Sequence, residues 1–161
     1  MTVKEYNQSV DTFADNLFRF ALKTLNDEAK AKDAVQDAFE KLWVKHADVS
    51  FEKVKSYLFT SVYHNAIDTI RRDKKQDSFD SIRSHEHSVD HSYSDLQEIL
   101  HEAVSKLPED QKSVVLLRDY EGYSYQEISE ITGLNESQVK VYIYRARLFL
   151  KSYIGKMEAV I

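Results

Sequence analysis

The chain has no cysteine, one proline, three glycines and one tryptophan among its 161 residues. Without cysteine there can be neither a disulfide framework nor a thiolate metal site, which suits a reducing compartment. So little glycine and proline leaves little material for tight turns. Alanine, leucine, lysine, glutamate and glutamine are plentiful, so an all-α fold is expected. No apolar run approaches the roughly 20 residues that span a bilayer, and the start MTVKEYNQSVDTFADN shows no basic segment followed by an apolar one. A soluble, cytoplasmic protein is the expectation. At this length one ordinary core or two small ones can be buried, and the pattern of elements favours two.

A net charge of −5 looks wrong for a nucleic-acid binder until it is counted along the chain. Residues 53–75 carry +4 and residues 135–161 carry +3, whereas residues 76–110 between them carry −7. Two basic segments separated by an acidic one is the distribution that two DNA-facing surfaces with a solvated connector require. Ordinary surface scatter is the plainer alternative.

Apolar residues at Val10, Phe13, Leu17, Phe20, Ala21 and Leu25 have the spacing of one helical face and predict a helix over 5–25. A second helix is predicted from a cap at Asn26–Asp27, with Ala31, Ala34, Val35, Ala38, Phe39, Leu42 and Trp43 as its apolar side. Lys32, Asp33, Gln36, Asp37, Glu40 and Lys41 lie on its other side. The period lapses over 46–52 and resumes at Val54, Leu58 and Val62 in a third helix that ends in Arg71-Arg72-Asp73-Lys74-Lys75. Three such helices can close a small bundle around their aromatic side chains. Residues 76–93, QDSFDSIRSHEHSVDHSY, hold too few apolar groups to offset the entropy of ordering and predict a flexible linker. Periodicity returns at Leu96, Ile99, Leu100, Ala103, Val104 and Leu107, and Pro108 then breaks the helix. A further helix over 111–120 offers Val114, Val115 and Leu117, and Glu121-Gly122-Tyr123 predicts a turn.

Ser124-Tyr125-Gln126-Glu127 has the form of a capping box, so a helix should begin at Tyr125. It buries Ile128 and Ile131 and should stop at Gly133, which can take the left-handed conformation of a sharp inter-helix turn. Asn135 then caps a new helix, with Gln138 at its third position. A short helix, a turn containing glycine and a freshly capped second helix describe a helix-turn-helix unit. In that last helix Val139, Ile143, Ala146 and Leu150 form the side expected to be buried. The opposite side carries Ser137, Val141, Tyr144 and Leu148, edged by Gln138 and Arg145 and by Lys140 and Arg147. Hydrogen-bonding, apolar and cationic groups mixed on one side suit a major groove: the helix start reaches base edges, while Lys140 and Arg145 neutralise phosphates. A helix that merely completes a bundle is the alternative.

Leu107-Pro108-Glu109-Asp110-Gln111-Lys112, Tyr123-Ser124-Tyr125-Gln126-Glu127-Ile128 and the run from Val139 to Arg147 resemble the promoter-reading carboxy-terminal domain of sigma factors. In the front half, Asp33-Ala34-Val35-Gln36-Asp37-Ala38-Phe39 with Leu42-Trp43, and Tyr57-Leu58-Phe59 with Asn65, Asp68 and Arg71-Arg72, resemble the polymerase-binding and promoter-melting motifs of the extracytoplasmic-function group. The resemblance covers nearly all of the chain outside 76–93. It implies a region 2-like domain over 5–75, the linker, and a region 4-like helix-turn-helix domain over 94–157. It further implies core RNA polymerase and promoter DNA as partners, with an anti-sigma protein that holds the factor inactive.

The resemblance also assigns sites. Asp33, Gln36, Asp37 and Glu40 would dock on a helical clamp element of the polymerase, and a carboxylate row on a rigid helix complements a basic partner. Lys53, Lys55, Arg71 and Arg72 would track phosphate at the minus-ten element, with Lys74 and Lys75 behind them. Tyr57, Phe59, Tyr63 and His64 include rings on which an extruded base can stack. Of these, Tyr57 adjoins the buried stripe, as does Leu58, and a structural role is expected for both. Asn65 falls on the same stripe and so needs hydrogen-bond partners; the family places it beside the melted strand. Ser137, Gln138, Lys140, Val141, Tyr144 and Arg145 would read the minus-thirty-five element. The family often has a small residue and threonine where this chain has Ser137 and Gln138, and arginine at Lys112 and Tyr142.

No catalytic residue, cofactor or metal is expected. The best foothold for an enzyme, His85, His87 and His91 with Glu86 and Asp90, lies in the segment least able to hold a rigid metal site. A dimeric helix-turn-helix regulator is the other alternative, and it leaves the first 75 residues without a role. Free protein should bind duplex DNA weakly, because each basic surface is small. Polymerase, by holding both domains at once, supplies the missing affinity.

Overall fold

The structure, a computed structural model, describes residues 1–77 and 95–160. Among these residues it is helical throughout: α1 (Val3–Leu25), α2 (Glu28–Lys45), a 3-10 turn (Phe51–Lys53), α3 (Val54–Asp77), α4 (Asp95–Ser105), α5 (Glu109–Val115) running into a π-helical turn (Leu116–Tyr120), α6 (Tyr125–Thr132) and α7 (Glu136–Val160). No helix among them is long and apolar enough to cross a membrane.

Local chemistry sets most of these boundaries. Thr2 and Glu5 close a capping box at the start of α1, and Asn26 ends it in the left-handed conformation at φ +53°. Asp27 accepts from the Lys30 amide 3.0 Å away to cap α2. Pro108 precedes the first residue of α5. Residues 76 and 77, expected in the linker, extend α3; the rest of that expectation, with the 85–91 histidine cluster, lies outside the described residues.

In the front half α1, α2 and α3 pack on one another. Ala31, Ala34 and Ala38 give α2 a slim inner side that lets its neighbours approach, and Leu17, Phe20, Leu42, Leu58 and Phe59 fill the space between. Trp43 departs from the expected stripe and is 45% exposed. Phe39 and Leu42 take the inward arc, and Trp43 sits on its rim, stacked on His46 at 4.6 Å and edged by Tyr6. Leu96 is likewise exposed, because Ala103 and Val104 at the other end of α4 carry its buried side.

In the rear half α7 is packed by α4, α5 and α6. The π-turn widens the end of α5, with the Glu121 amide donating to Leu116 O and the Tyr123 amide to Leu117 O at 3.1 and 3.0 Å. The two expected cores are not separate. One buried cluster runs from Leu17 and Phe20 through Phe59 to Tyr123, Ile128 and Ile143, and only Leu107, Val115 and Ala146 form a satellite. Phe59 is the bridge, 5.7 Å from the Phe20 ring on one side and edge-on to the Tyr123 ring at 5.3 Å on the other.

Candidate nucleic-acid interface

The helix-turn-helix forms as its punctuation requires. Ser124 Oγ accepts from the Glu127 amide while the Glu127 carboxylate accepts from the Ser124 amide, at 3.1 and 3.0 Å. Gly133 ends α6 at φ +80°, where a side chain would be strained. The turn is then pinned by side chains: Ser129 Oγ donates to Leu134 O at 2.6 Å, and the Leu134 amide donates to Thr132 Oγ1 at 3.3 Å. Asn135 and Gln138 cap α7 reciprocally, at 2.8 and 3.1 Å.

So anchored, α7 buries Val139, Ile143 and Ala146 and turns its other side outward. Ser137, Gln138, Lys140 and Arg145 are exposed, and Val141 and Tyr144 are 43% and 64% exposed. Soluble helices seldom leave two large apolar groups side by side in water without a use for them. The cationic rim is sorted by its partners. Arg147 is held by Asp119, its Nε donating to Oδ2 at 3.2 Å, and this bond is the main cause of its raised pKa. The Lys140 ammonium lies 5.6 Å from the Tyr125 ring, over which the Arg118 guanidinium also sits, at 4.5 Å. Arg147 is therefore committed within the protein, whereas Lys140 and Arg145 project at the rim.

Lys53, at the end of the 3-10 turn, and His64, Arg71 and Arg72 on α3 are exposed, and Asn65 on α3 is half-buried. The expected partners of Asn65 are found: its amide donates to Asp37 Oδ2 at 3.1 Å, and Thr69 Oγ1 lies 3.5 Å from its carbonyl oxygen. Thr69 Oγ1 in turn accepts from Arg72 at 3.3 Å. Phe59, one of the rings considered for base stacking, is completely buried, because both halves pack on it. Tyr63 is buried too, at 6% exposure, and burial raises its pKa ahead of the Asp110 carboxylate. Lys55 is half-buried with its ammonium 4.5 Å over the Tyr123 ring. In this arrangement neither Tyr63 nor Lys55 faces open solvent as a strand-binding group should.

On α2, Asp33, Gln36, Asp37 and Glu40 are all exposed, with Gln36 donating to Glu40 at 3.3 Å. A shallow groove between this side and α3 is lined by Asp37, Glu40, Lys41, Val44, Lys45 and Tyr57. Val44, 80% exposed at its edge, was not singled out from the sequence. Its signal was available: it stands outside the apolar period yet is apolar. The Asp37–Asn65 bond was not legible, since it joins two helices whose register only packing sets.

Comparisons with known proteins agree with this geometry. Residues 10–76 match the family Sigma-70 region 2, and residues 97–150 match Sigma-70, region 4. RNA polymerase sigma factor SigV of Bacillus subtilis is 31% identical over 146 residues, which cover 89% of this chain and 87% of that one. ECF RNA polymerase sigma factor SigM of the same organism is 26% identical over 166 residues, 97% of each chain. The sigma factor RpoE of Bartonella quintana, solved in complex with the anti-sigma factor NepR, superposes with a TM-score of 0.80 at 25% identity, covering 95% of this chain and 98% of that chain. With both regions present in order and full-length relatives of this similarity, the chain belongs to the sigma-70 family of RNA polymerase sigma factors, in its extracytoplasmic-function group.

Proposed function

We propose that this sigma factor directs core RNA polymerase to its promoters through three surfaces, with no catalytic chemistry of its own. Residues 5–75 form the polymerase-binding and strand-opening domain, 76–93 the connector and 94–157 the upstream-reading domain. Asp33, Gln36, Asp37 and Glu40 on α2 meet the polymerase. Lys53, Lys55, Tyr63, His64, Asn65, Arg71 and Arg72 engage the minus-ten element as a single strand. Ser137, Gln138, Lys140, Val141, Tyr144 and Arg145 enter the groove at the minus-thirty-five element. The observation that carries this reading is the outer side of α7, where exposed Val141 and Tyr144 are edged by exposed Lys140 and Arg145. Apolar contact with thymine methyls and cationic contact with phosphates use that combination; packing within the protein does not. The work is done in the cytoplasm, and an anti-sigma protein is the proposed off-state partner, as for the solved relative.

Run-off transcription by core polymerase on a library with both promoter elements randomised tests the reading. Transcripts should depend on this protein and enrich one pair of elements. Tyr144→Ala should relax selection within the upstream element, a loss of about 1–3 kcal/mol of discrimination at one position. Lys140→Ala should weaken all promoters alike and lower the salt dependence. Tight binding of the protein alone to a palindromic duplex, without polymerase-dependent transcripts, would instead support a stand-alone helix-turn-helix regulator.

A further inference from the structure

Gln138 is exposed on the outer side of α7, yet one end of its side chain is tied. Its Oε1 accepts from the Asn135 amide at 3.1 Å, while Asn135 Oδ1 accepts from the Gln138 amide at 2.8 Å. A backbone N–H can only donate, so the atom turned back on the helix start must be the oxygen, and the orientation of the side-chain amide is fixed. Among the described residues neither N–H of Nε2 has a partner within the protein. Gln138 therefore faces outward with donors alone.

The tie is held from both sides. Before it, Ser129 and Thr132 bond the carbonyl and the amide of Leu134; after it, the Asn135 carbonyl accepts from the amide of the buried Val139 at 3.0 Å. An untied glutamine reads adenine by donating to N7 and accepting from the N6 amino group at once. With its oxygen bound to the helix start, Gln138 cannot offer both atoms to one base. Against the amino group of cytosine or adenine its donors meet donors, and a donor enclosed in the groove without an acceptor is costly. Against the exocyclic oxygen of thymine or guanine they are satisfied. Val141, 43% exposed and one turn along, sets an apolar group beside those donors, as thymine sets a methyl beside its oxygen.

We propose that Gln138, its amide oriented by the reciprocal cap with Asn135, is a specificity-determining residue that accepts only a keto base, thymine or guanine, at one position of the upstream element. The inference deepens the promoter reading above and rests on it, since α7 must enter the groove. The bond that starts the helix thereby also selects the base: Asn135 acts as a positioning residue through its backbone amide, and Gln138 makes the contact.

Gln138→Glu separates the two roles of this side chain. A glutamate still accepts from the Asn135 amide, so the cap stays, and its second oxygen puts an acceptor where the donors were. In run-off transcription by core polymerase on templates randomised over the upstream element, the parent should select thymine or guanine on one strand at one position. Gln138→Glu should invert that position, preferring cytosine or adenine on the same strand by about tenfold, with the other positions and the helical circular dichroism unchanged. Sulfur in place of the base oxygen, as 4-thiothymine or 6-thioguanine, should weaken transcription by the parent and not by Gln138→Glu. Uracil in place of thymine tells the two bases apart: a loss that disappears in Val141→Ala assigns the methyl contact, and guanine at the position assigns the oxygen alone. A uniform loss in Gln138→Glu with selection unchanged would overturn the proposal and leave the sigma assignment standing. So would loss of parent activity when 7-deazaadenine replaces the adenine of the selected pair, because that loss requires an untied amide reading adenine. A parent that transcribes with core polymerase yet selects no upstream sequence would overturn the entry of α7 into the groove, and this proposal with it.

Discussion

Tyr123 has a completely enclosed hydroxyl with no hydrogen-bond partner, although its ring is among the largest groups in the core. A buried oxygen in that condition costs about 1–3 kcal/mol, so the ring must be retained for its packing on Phe59 and Lys55. Tyr123→Phe keeps the ring and removes the orphan. Denaturant unfolding at neutral pH should show it more stable by about 1 kcal/mol. The same burial pushes the Tyr123 pKa far above its ordinary 10.0. The folded state therefore keeps its proton when the unfolded chain gives it up, and stability is lost as pH rises beyond 10 toward the folded value. Tyr123→Phe should shift the alkaline unfolding midpoint upward; an unchanged midpoint would mean that this hydroxyl is not the group that titrates. Lys112 works in the opposite sense. Burial lowers its pKa, partly offset by Glu109, so its contribution to stability grows as pH rises through that lowered value.

At the level of elements, the helix-turn-helix depends on two reciprocal caps and one left-handed glycine more than on helix propensity, because α6 is only eight residues long. Ser124→Ala removes the acceptor for the Glu127 amide and should lower stability by about 1 kcal/mol in thermal unfolding. Since α6 positions the start of α7, the same change should weaken upstream-element binding more than it weakens polymerase binding. Equal losses in the two assays would point to general unfolding instead. These elements were legible in the sequence to within a residue or two, for a physical reason: capping boxes, Asp27, Gly133 and Asn135 act on their own chain neighbours. The π-turn was not legible. Nothing in Leu116–Tyr120 breaks a helix, and the widened turn goes with the buried seat of Tyr123 and with partners far along the chain.

For the whole molecule, the shared cluster through Phe20, Phe59 and Tyr123 couples two halves that their motifs describe as independent. The one tryptophan, Trp43, lies in the front half and so reports on that half alone. Its fluorescence and the helical circular dichroism of the whole chain should therefore melt together in the parent protein. Phe59→Ala should cost about 3–5 kcal/mol and pull the two curves apart. Two separate transitions in the unmodified protein would show that the bridge contributes little.

The primary structure already carried the helical class, the position of nearly every helix, the outward side of α7 and the acidic side of α2, because hydrophobic period and capping are local properties. Ser137, Val141 and Tyr144 could be assigned to the surface by their angular distance from Val139 and Ile143 alone. Tertiary packing decided that Phe59 and Tyr63 are buried, that Asn65 answers to Asp37, and that Arg19 meets Glu121 across 102 residues. Those outcomes rest on contacts between segments far apart in the chain. Their formation depends on how two surfaces fit, and no periodicity within either segment records that.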